Sequence, residues 1–175
     1  MRLVLAILFA AAPAAANPVT IGANLGAAQA KDAGTDANRT MGVFGRLGLA
    51  DRVAGQLELM QMTGQPTDDI KMGNALLLID FAKGPLVPLV VLGGGLDRER
   101  FASATFAHAE AGLGLELRTS AGFMVGADVR IGTRTVVSQQ MVYYANDNSS
   151  PWLYDPQTLH AGEYRSARVT VGVTF

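Results

Sequence analysis

The clearest pattern in this chain is a strict alternation of apolar and polar residues. Across 107–118, every second residue from Ala107 to Leu117 is apolar, and the residues between them are charged residues, a histidine and glycines. A helix would spread these charges around its circumference, whereas a strand places them all on one face. The segment 123–131 alternates in the same way, and the four residues 119–122 between the two segments are suited to a turn. We therefore predict a β-hairpin with one apolar and one polar face.

Similar alternation, interrupted by turn residues, continues from residue 17 to residue 175 and predicts eight strands. The predicted strands are 18–29, 40–49, 53–62, 72–81, 86–97, 105–118, 123–143 and 163–175. Short turns such as 119–122 alternate with longer polar segments such as 145–162. Short turns at one rim and longer loops at the other are typical of outer-membrane barrels. The prediction is one all-β domain, an eight-stranded antiparallel up-and-down transmembrane β-barrel formed by residues 17–175.

The fourth and fifth predicted strands depart from this pattern. Segments 74–82 and 86–94 are largely apolar on both faces. Such strands would also suit a soluble α/β sheet, in which helices cover both faces. The sequence contains no amphipathic helical segment to cover such a sheet, so the barrel is the better interpretation.

The first sixteen residues have the features of a cleaved secretory signal peptide. Arg2 precedes the apolar run Leu3–Ala12, and small residues surround an expected cleavage site after Ala16. The apolar run is shorter than the roughly 20 residues that a membrane-spanning helix needs. The chain has no cysteine, which excludes disulfides and a lipoprotein anchor.

The charge of the chain does not suggest a nucleic-acid partner. Removing Arg2 with the signal peptide reduces the 14 basic residues to 13, against 15 acidic residues, which gives a net charge of −2 with histidine neutral. A nucleic-acid-binding protein would carry a basic excess. Hydrophobic residues make up 49% of the chain, and the predicted strands must therefore cover a large apolar surface.

The last strand carries a resemblance to a known family. Val169, Val171, Val173 and Phe175 alternate with polar residues and glycine at the end of the chain. A chain of eight alternating strands that finishes on phenylalanine resembles the small OmpA/OmpX-type outer-membrane barrels of Gram-negative bacteria. The resemblance implies an outer-membrane location, surrounding lipid and lipopolysaccharide, and a structural or surface-interaction role. It also implies that these four residues form the assembly signal read by the barrel-assembly machinery.

A soluble periplasmic ligand-binding barrel is the first alternative. It would show the same alternation with the two faces exchanged. Two features favour lipid on the outside. The apolar faces of the sixth and seventh strands are built from small or slender side chains, and the polar faces combine glycine with charges of both signs, which suits a narrow lumen.

The alternation also predicts which charged residues point into the barrel. The predicted lumen network consists of Arg46, Glu58, Asp80, Glu110, Glu116, Arg118, Asp128, Arg130 and Arg168. Side chains just fill the interior of an eight-stranded barrel, and buried charges must be paired. We therefore expect five acids and four arginines to hold the lumen closed.

A lipid-modifying enzyme is the second alternative. Some small outer-membrane barrels deacylate lipid A with a His–Ser–Glu set, and His108 stands in a related context. The deacylase pattern requires serine two residues after the histidine, where this chain has Glu110, so no nucleophile lies beside the base. We predict no catalytic residues, and we expect His108 to be a solvated residue near the rim.

Other motifs predict neither a cofactor nor a metal site. The glycine-rich segment 92–97 lacks the lysine and the helix of a phosphate-binding loop. Asp147 and Asp155 offer oxygen ligands, but their spacing does not match a calcium-binding EF-hand. The loop 145–162 contains Trp152 and is the candidate contact for a surface partner.

The assembly signal gives a first testable prediction. Deleting Phe175, or changing it to aspartate, should leave the precursor exported but not inserted, because the terminal aromatic residue is part of the label read during assembly. Whole-cell labelling of a tag in a surface loop measures insertion. Normal labelling of the deletion variant would contradict the sorting role.

Overall fold

The computed structural model describes residues 17–30, 37–63, 69–99, 104–138, 143–144, 152–153 and 162–175. The strands are β1 (Val19–Ala30), β2 (Asn38–Ala50), β3 (Val53–Thr63), β4 (Asp69–Asp80), β5 (Leu86–Glu99), β6 (Thr105–Arg118), β7 (Phe123–Ser138), β8 (Tyr143–Tyr144), β9 (Trp152–Leu153) and β10 (Gly162–Thr174). The predicted signal peptide lies outside the described residues.

The eight long strands form a closed antiparallel barrel in the order β1-β10-β7-β6-β5-β4-β3-β2. Each strand pairs with its neighbours along the chain, and β10 pairs with β1 to close the ring. The predicted eight-stranded antiparallel barrel is therefore confirmed. Phe175 continues the closure, because its backbone amide donates to the carbonyl of Val19 over 2.8 Å.

The part of the chain that the structure describes contains no helix that is long and apolar enough to cross a membrane.

Two strand boundaries differ from the prediction by three residues or more. The seventh strand was expected to reach residue 143, but β7 ends at Ser138, and Tyr143–Tyr144 instead pair with Trp152–Leu153 in a separate two-stranded ribbon. The alternation stops after Val137, where Ser138 and two glutamines remove the difference between the faces. The fourth strand begins at Asp69 rather than at residue 72, because β3 and β5 both extend far enough to pair with it.

The outer face of the barrel is apolar and the inner face carries the charges. On the outside, Leu59 is 67% exposed and Leu113 is 64% exposed. On the inside, Glu58 and Arg130 are almost completely buried. A water-soluble protein of this size would bury its large aliphatic side chains and expose its ions. The arrangement is thus the reverse of that in a soluble protein.

Apolar side chains also fill part of the interior, which explains the unusual fourth and fifth strands. Leu76 and Leu78 of β4 pack inside the barrel against Leu89 and Val91 of β5, while Leu77 faces outward. These strands are therefore apolar on both faces because they contribute one apolar wall to an otherwise polar lumen. A second interior cluster consists of Ala28, Met60, Met62, Ile70 and Met72.

Inward-facing glycines make room for large side chains on the neighbouring strand. A Cβ atom at Gly132 would lie 2.5 Å from the Tyr164 ring, and one at Gly22 would lie 2.6 Å from the Phe44 ring. Each glycine is the register partner of the residue that covers it. The same relation joins Gly26 with Arg168, Gly42 with Met60, Gly93 with Leu76, and Gly112 with Arg130.

The short turns lie at one end of the barrel, which we call the turn end. The opposite end, from which the longer connections leave, is the loop end. At the turn end, Lys83 donates to Asp51 over 2.6 Å and joins two neighbouring turns. The ammonium of Lys83, through this hydrogen bond and its charge, lowers the pKa of the Asp51 carboxyl below its ordinary value. Gly122 has a φ of 85°, which suits glycine in the turn between β6 and β7.

The glycine arrangement predicts a contrast between two alanine substitutions. Gly112→Ala should destabilise the barrel by roughly 1–3 kcal/mol through overpacking, because the new Cβ would lie 2.4 Å from the Val129 carbonyl oxygen. Gly45→Ala is the control, since a Cβ there meets nothing within 4 Å. Urea unfolding in lipid vesicles measures both. Equal stability of the two variants would contradict the account of the inner glycines.

Candidate functional site

The structure places all nine residues of the predicted lumen network on the inner face of the barrel. Seven of the nine lie deeper in the interior, away from the opening at the turn end, and are connected to one another. Asp80 and Arg118 line that opening, where the side chain of Arg118 is 35% exposed. The strand alternation thus put each charge on the correct face, although it could not show which acid meets which arginine.

The turn end of the lumen is crossed by paired ions. Arg46 donates two hydrogen bonds to Glu116, of 2.9 and 2.6 Å. Arg118 donates to the same carboxylate over 2.7 Å and also to both oxygens of Asp80. Since Arg46 lies on β2 and Glu116 on β6, this group joins opposite walls of the barrel.

Glu58 is the centre of the network. Its carboxylate accepts hydrogen bonds from Gln56 at 2.8 Å, Asn74 at 3.0 Å and Arg168 at 2.7 Å. Arg130 adds a longer contact of 3.2 Å. An ionised carboxylate is an acceptor only, with room for about four donors, and Glu58 therefore has a full set of partners despite its burial.

Arg130 extends the network across β6 and β7. It forms ion pairs with Asp128 and with Glu110, the latter at 2.7 Å. Glu110 also accepts a hydrogen bond from the Tyr164 hydroxyl at 2.9 Å. Gln56 connects this part to the turn end, because it accepts from Arg46 over 2.7 Å and donates to Glu58. The nine predicted lumen residues thus form one continuous chain of contacts, joined through Gln56.

A further charged cluster lies in the lumen nearer the loop end and was missed by the sequence analysis. Asp97 is fully buried, and its carboxylate lies 3.0 Å from His108 Nδ1 and 2.7 Å from Arg134 Nε. These distances are short enough for ion pairs, but the donor and acceptor atoms are not aligned as hydrogen bonds require. Arg134 also lies over the Tyr164 ring, 5.0 Å from its centre.

The expectation of a solvated His108 is wrong. Its side chain is fully buried, between Asp97 and the edge of the Tyr164 ring. The rim is further away than the sequence suggested, because β5 and β6 continue beyond this level and pack Phe106 above it. Continuing the inward alternation of β7 past Arg130 would have found Arg134, whereas Asp97 is the last residue of the predicted strand 86–97 and is not part of the predicted lumen network.

The lumen charges are close to balance. Six carboxylates face five guanidinium groups among the inner residues whose side chains the structure describes. His108 is the one further group in that set that can carry a positive charge, and it lies against Asp97. Placing each ion beside a partner is necessary, because an unpaired ion in such an interior costs several kcal/mol.

The polar groups of the described lumen are engaged with one another. Glu110, which stands where a deacylase has serine, is occupied by Arg130, Arg168 and Tyr164. Within the described residues, no group of three or more acidic or histidine side chains is placed to hold a metal ion. An internal cavity of about 10 Å³ beside Arg46 and Thr170 has room for about one water.

Two sequence-based candidates fall where the structure gives no account of side chains. Asp147 and Asp155 lie outside the described residues. In the loop 145–162, the structure describes only Trp152–Leu153, as a strand of the two-stranded ribbon, and Gly162, the first residue of β10. The calcium and surface-partner hypotheses for this loop stay predictions.

Solved structures share this fold. Neisserial surface protein A (NspA) has a TM-score of 0.62 and 13% identity, covering 90% of this chain and 96% of that one. The N-terminal β-barrel domain of Pseudomonas aeruginosa OprF has a TM-score of 0.53 and 16% identity, covering 91% and 98%. Ail, the attachment invasion locus protein of Yersinia pestis, has a TM-score of 0.52 and 13% identity, covering 91% and 99%.

These similarities confirm the resemblance to small eight-stranded outer-membrane barrels, at the level of the fold. No protein-family model matches the chain, and no curated protein sequence matches it.

The network predicts an unequal cost of removing two ion-pair partners. Glu58→Ala should destabilise the barrel by about 3–5 kcal/mol, because it removes one buried carboxylate partner from both Arg130 and Arg168. Lys83→Ala is the control, since it breaks an ion pair whose side chains are 61% and 75% exposed, and such pairs contribute little. Urea unfolding measures both. A loss for Glu58→Ala no larger than that of the control would contradict the central position of Glu58.

Proposed function

We propose that this chain is an integral β-barrel of the Gram-negative outer membrane, with a structural or surface-interaction role and a closed lumen. The observation that supports it most strongly is the reversal of faces, with buried ions inside and exposed aliphatic side chains outside. In water this exterior would be an association hazard. In a bilayer the same exterior is the surface that lipid covers.

The outer surface fits the requirements of a membrane-spanning barrel. A strand needs about 9–11 residues to cross the bilayer, and the barrel strands have 11 to 16 residues. The outward residues of β6 between Ala107 and Leu117 are all apolar. Phe123 and Phe175 are exposed near the turn end, where aromatic residues form a girdle in such barrels.

The interior supports a closed lumen rather than a pore. Salt bridges cross the turn end between Arg46 and Glu116. Towards the loop end, methionine and isoleucine side chains pack together, and Phe106 is fully buried. Eight strands leave an interior just wide enough for side chains. The network and the apolar clusters together fill this space.

The same packing argues against a soluble ligand-binding barrel. Pockets for small molecules usually have volumes of about 300–1,000 Å³. The internal cavity beside Arg46 holds only about 10 Å³. A soluble barrel would also need its apolar residues on the inside, where this chain has its ions.

Export and assembly belong to this proposal. The signal peptide 1–16 would direct export, and Val169, Val171, Val173 and Phe175 would be read by the barrel-assembly machinery. The three valines lie on the outer face of β10, consistent with contact with lipid after insertion. The loop 145–162 remains the proposed contact for a surface partner.

Insertion in the bilayer predicts a depth-dependent cost of an outward charge. Leu115→Arg should reduce the free energy of unfolding in lipid vesicles by roughly 2–4 kcal/mol if the position is near the midplane. Leu117→Arg, closer to the turn between β6 and β7, should cost only about 0–1 kcal/mol. Both residues are about half exposed. If neither substitution lowered the free energy of unfolding, the result would contradict insertion of the barrel in the bilayer.

A closed lumen predicts the absence of a steady current. The wild-type barrel, reconstituted in a planar bilayer, should show no stable open state, because its interior is filled by paired side chains. A general porin in the same bilayer serves as the positive control. A reproducible conductance from the wild-type chain would make it a small pore and contradict the closed lumen.

A further inference from the structure

Basic residues lie on the outer face of the barrel near the loop end, where most outward residues are apolar or neutral. These are Arg39, Lys71, Arg98 and Arg165. Lys71 on β4 and Arg98 on β5 are direct register partners. Two cations therefore stand opposite each other on adjacent strands, both exposed to the surroundings of the barrel.

This pair is unfavourable by itself. Like charges that lie directly opposite in a sheet destabilise it, and their Cβ atoms are only about 4.5–5.5 Å apart. Among the residues whose side chains the structure describes, no carboxylate forms an ion pair with either cation. Their next neighbours in register are Gln61 beside Lys71 and Thr105 beside Arg98, both neutral. Arg165 differs, since it lies 3.3 Å from Glu163 on its own strand.

The surface below the pair, towards the middle of the barrel, is open and smooth. Gly73 follows Lys71 on the same face and lies between Leu59 and Leu96, both more than half exposed. A Cβ at Gly73 would meet only Leu59, at 4.0 Å. One step further, the outward row contains Ala75 and Gly94. A shallow track bordered by leucines thus begins directly beneath the two cations.

We propose that Lys71 and Arg98 hold the phosphate of one membrane lipid in the leaflet at the loop end, with an acyl chain of that lipid in the track beneath. The inference rests on the proposed membrane insertion. Arginine can bind a phosphate through two parallel hydrogen bonds, and lysine adds a compact charge. The anion would remove the repulsion between the pair. A track of small residues bordered by leucines suits a flexible chain.

Native mass spectrometry of the folded full-length barrel tests the proposal. The probe is lipid A, an acylated glucosamine disaccharide with two phosphates, compared with the same lipid after dephosphorylation. The wild-type barrel should retain one copy of the phosphorylated lipid. The double variant Lys71→Gln, Arg98→Gln should retain at least tenfold less, while Arg165→Gln, which removes a cation at the same end but on the other side of the barrel, should retain as much as the wild type.

Thermal unfolding distinguishes a binding role from a structural one. Phosphorylated lipid A should raise the melting temperature of the wild type but not that of the double variant, because a ligand stabilises only the state that it binds. In micelles without phosphate, the double variant should melt at the same temperature as the wild type or higher, since its repulsion is gone. A double variant that melts lower in those micelles would show that the cations stabilise the barrel directly and would overturn the proposal.

The remaining outcomes are also decisive. If the double variant retained as much phosphorylated lipid as the wild type, the proposed site would be overturned. If Arg165→Gln lost as much lipid as the double variant, binding would not be specific to Lys71 and Arg98, and the proposal would also be overturned. Displacement of the lipid by millimolar inorganic phosphate would show a general anion site and overturn the lipid as its occupant. Failure of the wild type to insert in vesicles would instead remove the proposed function, whereas insertion without a preference for phosphorylated lipid defeats this inference alone.

Discussion

The structure depends on one constraint, which is the width of an eight-stranded barrel. Such an interior is filled by its own side chains, so every ion inside must find its partners on the walls. Glu58 illustrates this constraint, because its carboxylate accepts hydrogen bonds from donors on β3, β4, β7 and β10. The inner glycines follow from the same constraint, since a long side chain such as Arg130 fits only where the neighbouring strand has no Cβ.

The lumen network also determines how the outside can look. Once the ions are inside, the residues that alternate with them face outward, and many of these are aliphatic. In the proposed membrane location, lipid covers this apolar exterior. Lys71 and Arg98 are among the charged exceptions on the outer face, and they stand at the loop end, where a bilayer would meet its polar headgroups.

Much of this was readable from the sequence, for reasons particular to each element. The strong alternation of β6 and β7 placed Glu110, Asp128 and Arg130 correctly on the inner face. The pairing of Arg46 with Glu116 was not readable, because it spans the barrel and depends on strand register. The burial of Asp97 and His108 in the lumen was not predicted, because the length of β5 depends on its partner strands β4 and β6 rather than on its own alternation. The inward leucines of β4 depart from the alternation in the sequence, and only the structure shows that they form an apolar wall of the lumen.

The most direct test of the reversed faces is nuclear magnetic resonance of methyl-labelled protein in lipid nanodiscs. Leu76 and Leu77 are adjacent in β4, but the first packs inside the barrel and the second faces outward. The account predicts strong cross-relaxation between the lipid acyl chains and the methyl groups of Leu77 and Leu113. It predicts none between the acyl chains and the methyl groups of Leu76 and Leu78. Acyl-chain contacts at Leu76, with none at Leu77, would contradict it.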